Sequence, residues 1–290
     1  MIKSFAGINY TLPTVYLAGT MGIGNAEIGA RNCYDSFHKS ESECITEIGK
    51  ILSDDSLYNE DKFNELLDSA KNLEESDLLK ELSFVVFHNS VLEHNVMSFL
   101  IKGTSRGVLQ ELVRHRIASY SVRSTRYTLD ELMYTFIVAK YVLNDVNSKD
   151  FFINTALKLN MLVTADDSYN RLEFAGMWDK LNYQSDLIGK DEMLSIILPA
   201  SSIEDFNKCT NVDDAFDVAH RKKKRNVGDS FKHLITDNVK VDLLMTINLS
   251  SLKNFFKLRL SGAAWFQIQW LAEAMKNVTP EASKKLIFKK

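Results

Sequence analysis

Residues 114 to 127 read Arg-His-Arg-Ile-Ala-Ser-Tyr-Ser-Val-Arg-Ser-Thr-Arg-Tyr, with four arginines, three serines, a histidine and no acid. This window cannot be packed into an apolar core, because a buried guanidinium group needs partners that the window lacks. The fold must therefore leave it on a surface or a cleft, where arginine's rigid fork of donors suits phosphate and carboxylate. A solvated arginine-rich turn has the same composition, so the rest of the chain decides what the window does.

The chain has 290 residues, only three of them proline, which favours long helices. Apolar residues at three- and four-residue steps predict helices over 25–37, 41–52, 59–72, 75–84, 106–115 and 129–143. Helices are also expected over 150–162, 191–197, 213–224, 250–259 and 263–276, the last two broken at Ser261-Gly262. Runs 14–18, 95–101 and 239–247 read as strands, the middle one ending at Lys102-Gly103. The arginine window then begins at a helix C-terminus and runs on as a loop. Periodicity alone supports a mixed α and β fold.

A net charge of −3 gives no global field toward nucleic acid or membrane. No run reaches the length of a membrane span, and the first residues lack the apolar stretch of a signal peptide. Cys33, Cys44 and Cys209 are too scattered for a disulfide framework or a zinc site. A reducing, cytoplasmic location is expected, with no metal. The basic run His220-Arg221-Lys222-Lys223-Lys224-Arg225 reads as a solvated helix end, where cations suit the macrodipole.

Three further segments give the window a context. They are Phe87-His88-Asn89-Ser90-Val91-Leu92-Glu93-His94, Asn248-Leu249-Ser250-Ser251-Leu252-Lys253-Asn254-Phe255-Phe256-Lys257-Leu258-Arg259, and the shorter Ala30-Arg31-Asn32-Cys33-Tyr34. Together with Arg114-His115-Arg116, seven residues, then Ser124, they resemble the signature elements of the flavin-dependent thymidylate synthases, in the family's order. The resemblance covers about 10 to 130 and 225 to 277. It implies an α/β fold with a central, mostly antiparallel sheet flanked by helices, assembled as a homotetramer. The expected organisation is one thymidylate-synthase-like domain, 1–290, with a helical insertion at about 145–225.

The resemblance also implies roles. FAD would be held by Cys33, His88, Ser90, Arg114, His115, Arg116, Asn248 and Asn254. The substrate dUMP would be held by Glu111, Arg114, Ser121, Val122, Arg123, Ser124, Arg126, Lys232 and Arg259. Arg259, polarising the uracil carbonyls, and His88, near the flavin ring, are the implied catalytic residues. Methylenetetrahydrofolate would supply the carbon and NADPH the electrons. In keeping with a flavin route, no cysteine adjoins Pro13, Pro199 or Pro280, as the cysteine-dependent thymidylate synthases require. The chain departs from the family pattern at Glu111, Ser121-Val122, Ser250 and Lys232. Two alternatives follow from these departures: a related pyrimidine nucleotide hydroxymethylase, and a non-catalytic flavin- or nucleotide-binding homologue.

Overall fold

The computed structural model describes residues 1–124 and 129–289. The chain forms two compact units, one of Met1–Leu12, Ser105–Gly107 and Arg123–Val241, the other of Pro13–Thr104, Val108–Val122 and Asp242–Lys290.

The first unit opens with a hairpin of β1 (Ile2–Phe5) and β2 (Ile8–Thr11), antiparallel, with Phe5 opposite Ile8. Ala6 and Gly7 between them both take positive φ, as a type I′ turn requires. This hairpin has no clear mark in the sequence because Ala-Gly is a poor I′ signal; alanine carries a Cβ into the left-handed region. The rest of the unit is helical: Asp130–Val138, continued by a π turn over Ala139–Leu143, then Ser148–Lys158, Asp167–Ile188, Lys190–Ile197, Ala200–Lys208 and Val212–Arg221. Segment 145–225 is thus helical as expected. Its core is aromatic, with Trp178 packed on Phe136 and Phe152 at ring separations of 5.3 and 5.4 Å. The basic run ends the Val212–Arg221 helix in water, where Arg221 pairs with Asp205 at 3.1 Å and His220 with Glu131 at 2.8 Å.

The second unit is built on a four-stranded sheet. β3 (Thr14–Thr20), β4 (Val96–Ser105), β5 (Ala118–Val122) and β6 (Lys240–Asn248) stand in the order β3-β4-β6-β5. β3 is antiparallel to β4, and β5 to β6, with Tyr120 opposite Met245. Helices Gly24–Cys33, Glu43–Ser53, Glu60–Lys71, Asp77–Phe84, Leu249–Arg259, Phe266–Val278 and Glu281–Ile287 complete it. Along β6, Val241, Leu243, Met245 and Ile247 alternate into the core.

Two expectations need correction here. The stretch after the arginine triplet is not wholly loop: 118–122 form β5. The window's serines hide the strand, because Ser119 and Ser121 point to solvent while Ala118, Tyr120 and Val122 are partly buried. β4 does not stop at Lys102-Gly103. Gly103 takes a φ of 73°, its N–H donates to Asp242 Oδ1 at 2.8 Å, and the strand runs on to Ser105.

Candidate active site

Within the second unit, the arginine triplet and the Leu249–Arg259 helix meet at one cavity. The helix starts where it does because Asn248, the last residue of β6, caps it: its Oδ1 accepts the Ser251 N–H at 2.8 Å. Leu252, Phe255 and Phe256 then face the core, leaving Ser250, Ser251 and Asn254 for the cavity. The preceding helix, Arg106–Leu112, ends just short of the triplet. The Tyr120 hydroxyl on β5 donates to the carbonyls of Leu112 (2.8 Å) and His115 (3.0 Å), fixing the turn to the sheet. Burial pushes the Tyr120 phenol up to about 12, so it stays a donor at neutral pH.

Arg259 is the centre of the polar network. Its Nη1 donates to Glu111 Oε2 at 2.7 Å, and its Nε donates to His115 Nε2 at 3.1 Å. A guanidinium has no lone pair to offer, so His115 accepts at Nε2 and is neutral, with its proton on Nδ1. Burial, then the Arg259 charge, hold the His115 pKa below the ordinary histidine value, while Glu111 works the other way. The Phe255 ring stands edge-on to the imidazole, 5.0 Å between centroids. Arg259 is thereby held in one orientation.

The cavity has a volume of about 780 Å³ and is lined by Arg114, His115, Arg116, Asn254, Arg259 and Glu93, among others. That volume lies in the range of cofactor and ligand sites. Among the described residues, no carboxylate lies within 4.0 Å of Arg114 or Arg116. The lining is rich in donors and net cationic, which suits an anionic, partly planar ligand.

The remaining expected site residues lie elsewhere. His88, exposed, has its Nδ1 2.9 Å from the Tyr34 hydroxyl, next to Cys33, which is also exposed at its helix end; Ser90 is exposed. Asn248 serves as the helix cap. Glu111 sits behind Arg259. Ser121 and Val122 end β5. Arg123, Ser124 and Lys232 belong to the first unit, where Lys232 pairs with Asp229 at 2.6 Å. Arg126 lies outside the described residues. Sequence reasoning gives no role to Glu93, Ser251, Tyr120 or Phe255. Glu93 and Phe255 stand inside matched segments, which is the signal that could single them out. The part played by Tyr120 depends on tertiary hydrogen bonds that leave no local signal.

The sheet thus carries a cationic cavity in which one arginine is held between a glutamate and a neutral histidine, an arrangement suited to an anion. The family model described as thymidylate synthase complementing protein, Thy1, matches residues 24–282. A flavin-dependent thymidylate synthase of Helicobacter pylori is 33% identical over 207 residues, 70% of this chain and 76% of that one. Its counterpart in Wolinella succinogenes is 26% identical over 251 residues, 87% of this chain and 85% of the relative. In fold, the chain resembles Helicobacter pylori thymidylate synthase X solved with FAD and dUMP, with a TM-score of 0.55, 24% identity, and coverage of 95% of this chain and 97% of the other. The chain belongs to the flavin-dependent thymidylate synthase family. It is accordingly an enzyme of the methyltransferase class.

Proposed function

We propose that this chain methylates dUMP to dTMP at the cavity of the second unit, with FAD as cofactor, methylenetetrahydrofolate as carbon donor and NADPH as reductant. The observation that carries this reading is the convergence of Arg114, His115, Arg116, Asn254 and Arg259 on one cavity of about 780 Å³. These residues fit the flavin: unpaired guanidinium groups suit a pyrophosphate, and an amide suits a polar ring edge. Bound flavin supplies hydride that a cysteine-dependent synthase draws from the folate.

The protein's own part is positioning and electrostatics. Arg259, held by Glu111 and His115, stabilises negative charge that builds on the uracil ring as a nucleophile adds. By the family resemblance, Ser121, Val122, Arg123, Ser124, Arg126 and Lys232 are assigned to dUMP. Cys33, His88 and Ser90 hold the flavin, with His88 also near the folate. His88 lies near the flavin ring, and Asn248 caps the helix that presents Asn254. Ser124 binds without attacking: no acid stands in its sequence window to orient a base.

The enzyme works in the cytoplasm as a homotetramer, with 1–290 taken as one thymidylate-synthase-like domain and about 145–225 as its helical insertion. Exposed apolar residues on the sheet, Tyr16 on β3 opposite Leu100 on β4, and Leu244 on β6, support self-association. The test is the absorbance spectrum of the purified protein, followed by product analysis with dUMP, methylenetetrahydrofolate and NADPH. A bound-flavin spectrum and dTMP are expected. A hydroxymethyl product would reassign the reaction, and the absence of flavin uptake and turnover would overturn it.

A further inference from the structure

We infer that Tyr34 is a positioning residue for His88. Its hydroxyl donates to His88 Nδ1, fixes the proton of the neutral ring on Nε2, and so presents an N–H to a carbonyl oxygen of a planar ring ligand. The identity of that ring rests on the reaction proposed above; the Tyr34–His88 pair does not.

Tyr34 follows directly on the helix Gly24–Cys33, and its N–H donates to the Ala30 carbonyl at 3.2 Å. That helix end is held from inside. Arg31 Nε donates to Glu27 Oε1 at 3.2 Å, and the Ser40 hydroxyl donates to the same oxygen at 2.7 Å, with Glu27 and Arg31 both buried. The helix is also seated directly on the short helical turn Asn89–His94: a Cβ added at Gly29 would come within 2.9 Å of the His94 ring. On the other side, a bend in the chain brings His88 round. Phe87 takes a φ of 62°, a conformation that an aromatic L residue rarely adopts, and the Asn89 amide donates to the Phe87 carbonyl at 3.4 Å. Backbone outliers of this kind gather at functional sites. The outcome is a Tyr34 hydroxyl 2.9 Å from His88 Nδ1.

A phenol hydroxyl is the better donor of the two groups, and a neutral imidazole offers one nitrogen lone pair to accept it. With Nδ1 accepting, the ring proton sits on Nε2. Among the described residues His88 has no other hydrogen-bond partner, and it is exposed, so its Nε2–H is left for a ligand. A neutral N–H suits a carbonyl oxygen; phosphate is better served by the guanidinium groups of the cavity. Flavin and pterin rings both carry such an oxygen. The histidines of the two matched segments are thereby set to opposite tautomers: His115 accepts at Nε2 from Arg259, and His88 accepts at Nδ1 from Tyr34. Without the Tyr34 hydroxyl, the His88 ring would be free to turn and to present either edge.

The decisive variant is Tyr34→Phe, which removes the hydroxyl and keeps the ring. Nitrogen NMR of isotope-labelled histidine in the full chain as purified reads the tautomer, with the His88 signals assigned by their loss in His88→Ala. The natural chain should carry the His88 proton on Nε2, and in Tyr34→Phe the Nδ1 resonance should move to its position without a hydrogen bond. A proton on Nδ1, or an unmoved Nδ1 resonance, would overturn the proposal. Tyr34→Phe should also weaken the ring that His88 meets by about two- to tenfold, the loss of one neutral hydrogen bond, with the melting temperature unchanged. A weaker FAD titration assigns that ring to the flavin, and a raised KM for methylenetetrahydrofolate assigns it to the pterin; no change in either contradicts the proposal. In a His88→Ala background Tyr34→Phe should have no further effect, since the two side chains act as one unit. A further loss there would give Tyr34 a role of its own and sink the assignment. Absence of flavin uptake and turnover in the natural protein would overturn the enzymatic reading and leave the ring measurements standing.

Discussion

Two basic segments of this chain have similar composition and opposite settings. The run 220–225 sets six basic residues at and just beyond one helix end, and the fold answers three of them with acids: Arg221 with Asp205, His220 with Glu131, and Lys223 with Asp130 and Glu131 at 3.7 and 3.6 Å. The Arg114–Arg116 triplet stands instead on a cavity. There the ion pair engages Arg259, from a distant helix, with Glu111, and leaves the triplet's own guanidinium groups facing open space. Charge density alone does not mark a binding site. A cation whose counter-ion is missing, at a concave surface, does so.

The largest effect should come from removing the arginine at the centre of the network. Arg259→Ala should lower kcat and kcat/KM together by about 10²–10³-fold, the range seen for loss of one transition-state donor, while flavin content is kept. Stopped-flow measurement of dUMP-dependent flavin oxidation checks this. Arg259→Lys should rescue little, since a point charge cannot serve Glu111, His115 and a ligand at once. Near-normal kcat in Arg259→Ala would move the chemistry elsewhere.

Next comes pH. The folded protein holds His115 neutral, with its pKa lowered by burial and by Arg259. The unfolded chain therefore binds the extra proton first as pH falls. The stabilisation from neutral His115 is fully present above the ordinary value of 6.5, and is lost as pH drops from there through the lowered folded pKa. Below that point Nε2 is protonated and can no longer accept from Arg259. NMR titration of His115 should show a midpoint below 6.5, rising in Arg259→Ala and falling further in Glu111→Gln. A midpoint above 6.5 in the natural protein would break this account of how Arg259 is aimed.

A smaller effect is expected from the cap. Asn248→Ala removes the bond to the Ser251 N–H and should cost about 1 kcal/mol of stability, seen as a melting temperature lower by a few degrees. Smallest of all is Ser124→Ala, which should weaken dUMP yet keep measurable dTMP formation. Abolished turnover with dUMP still bound would make Ser124 a nucleophile.

The site is more legible in the sequence than the fold around it. Arg114, His115, Arg116, Asn254 and Arg259 are singled out by the family resemblance of the segments that hold them, and all five line one cavity. Glu111 is expected against the substrate; its observed partner is Arg259, a contact between residues 148 positions apart. The 22-residue helix Asp167–Ile188 has no clear signature in the sequence. Its apolar residues lie on two faces, Phe174, Trp178 and Leu181 inward, Leu172, Tyr183 and Leu187 outward, which blurs the one-sided period of an ordinary surface helix. Strand β5 is hidden for the opposite reason. It is short, and small serines fill its open face.

The contrast between the two basic segments can be put to one matched measurement: flavin retained after gel filtration, read from the absorbance of Arg114→Ala/Arg116→Ala beside Arg221→Ala/Lys223→Ala. Both pairs remove two positive charges. Charge-assisted bonds are worth about 1.5–3 kcal/mol each, so the first pair should weaken FAD by at least about a hundredfold and elute without flavin. The second pair should elute with flavin at the level of the natural protein. Equal flavin content in the two variants would contradict the assignment of the triplet to the ligand.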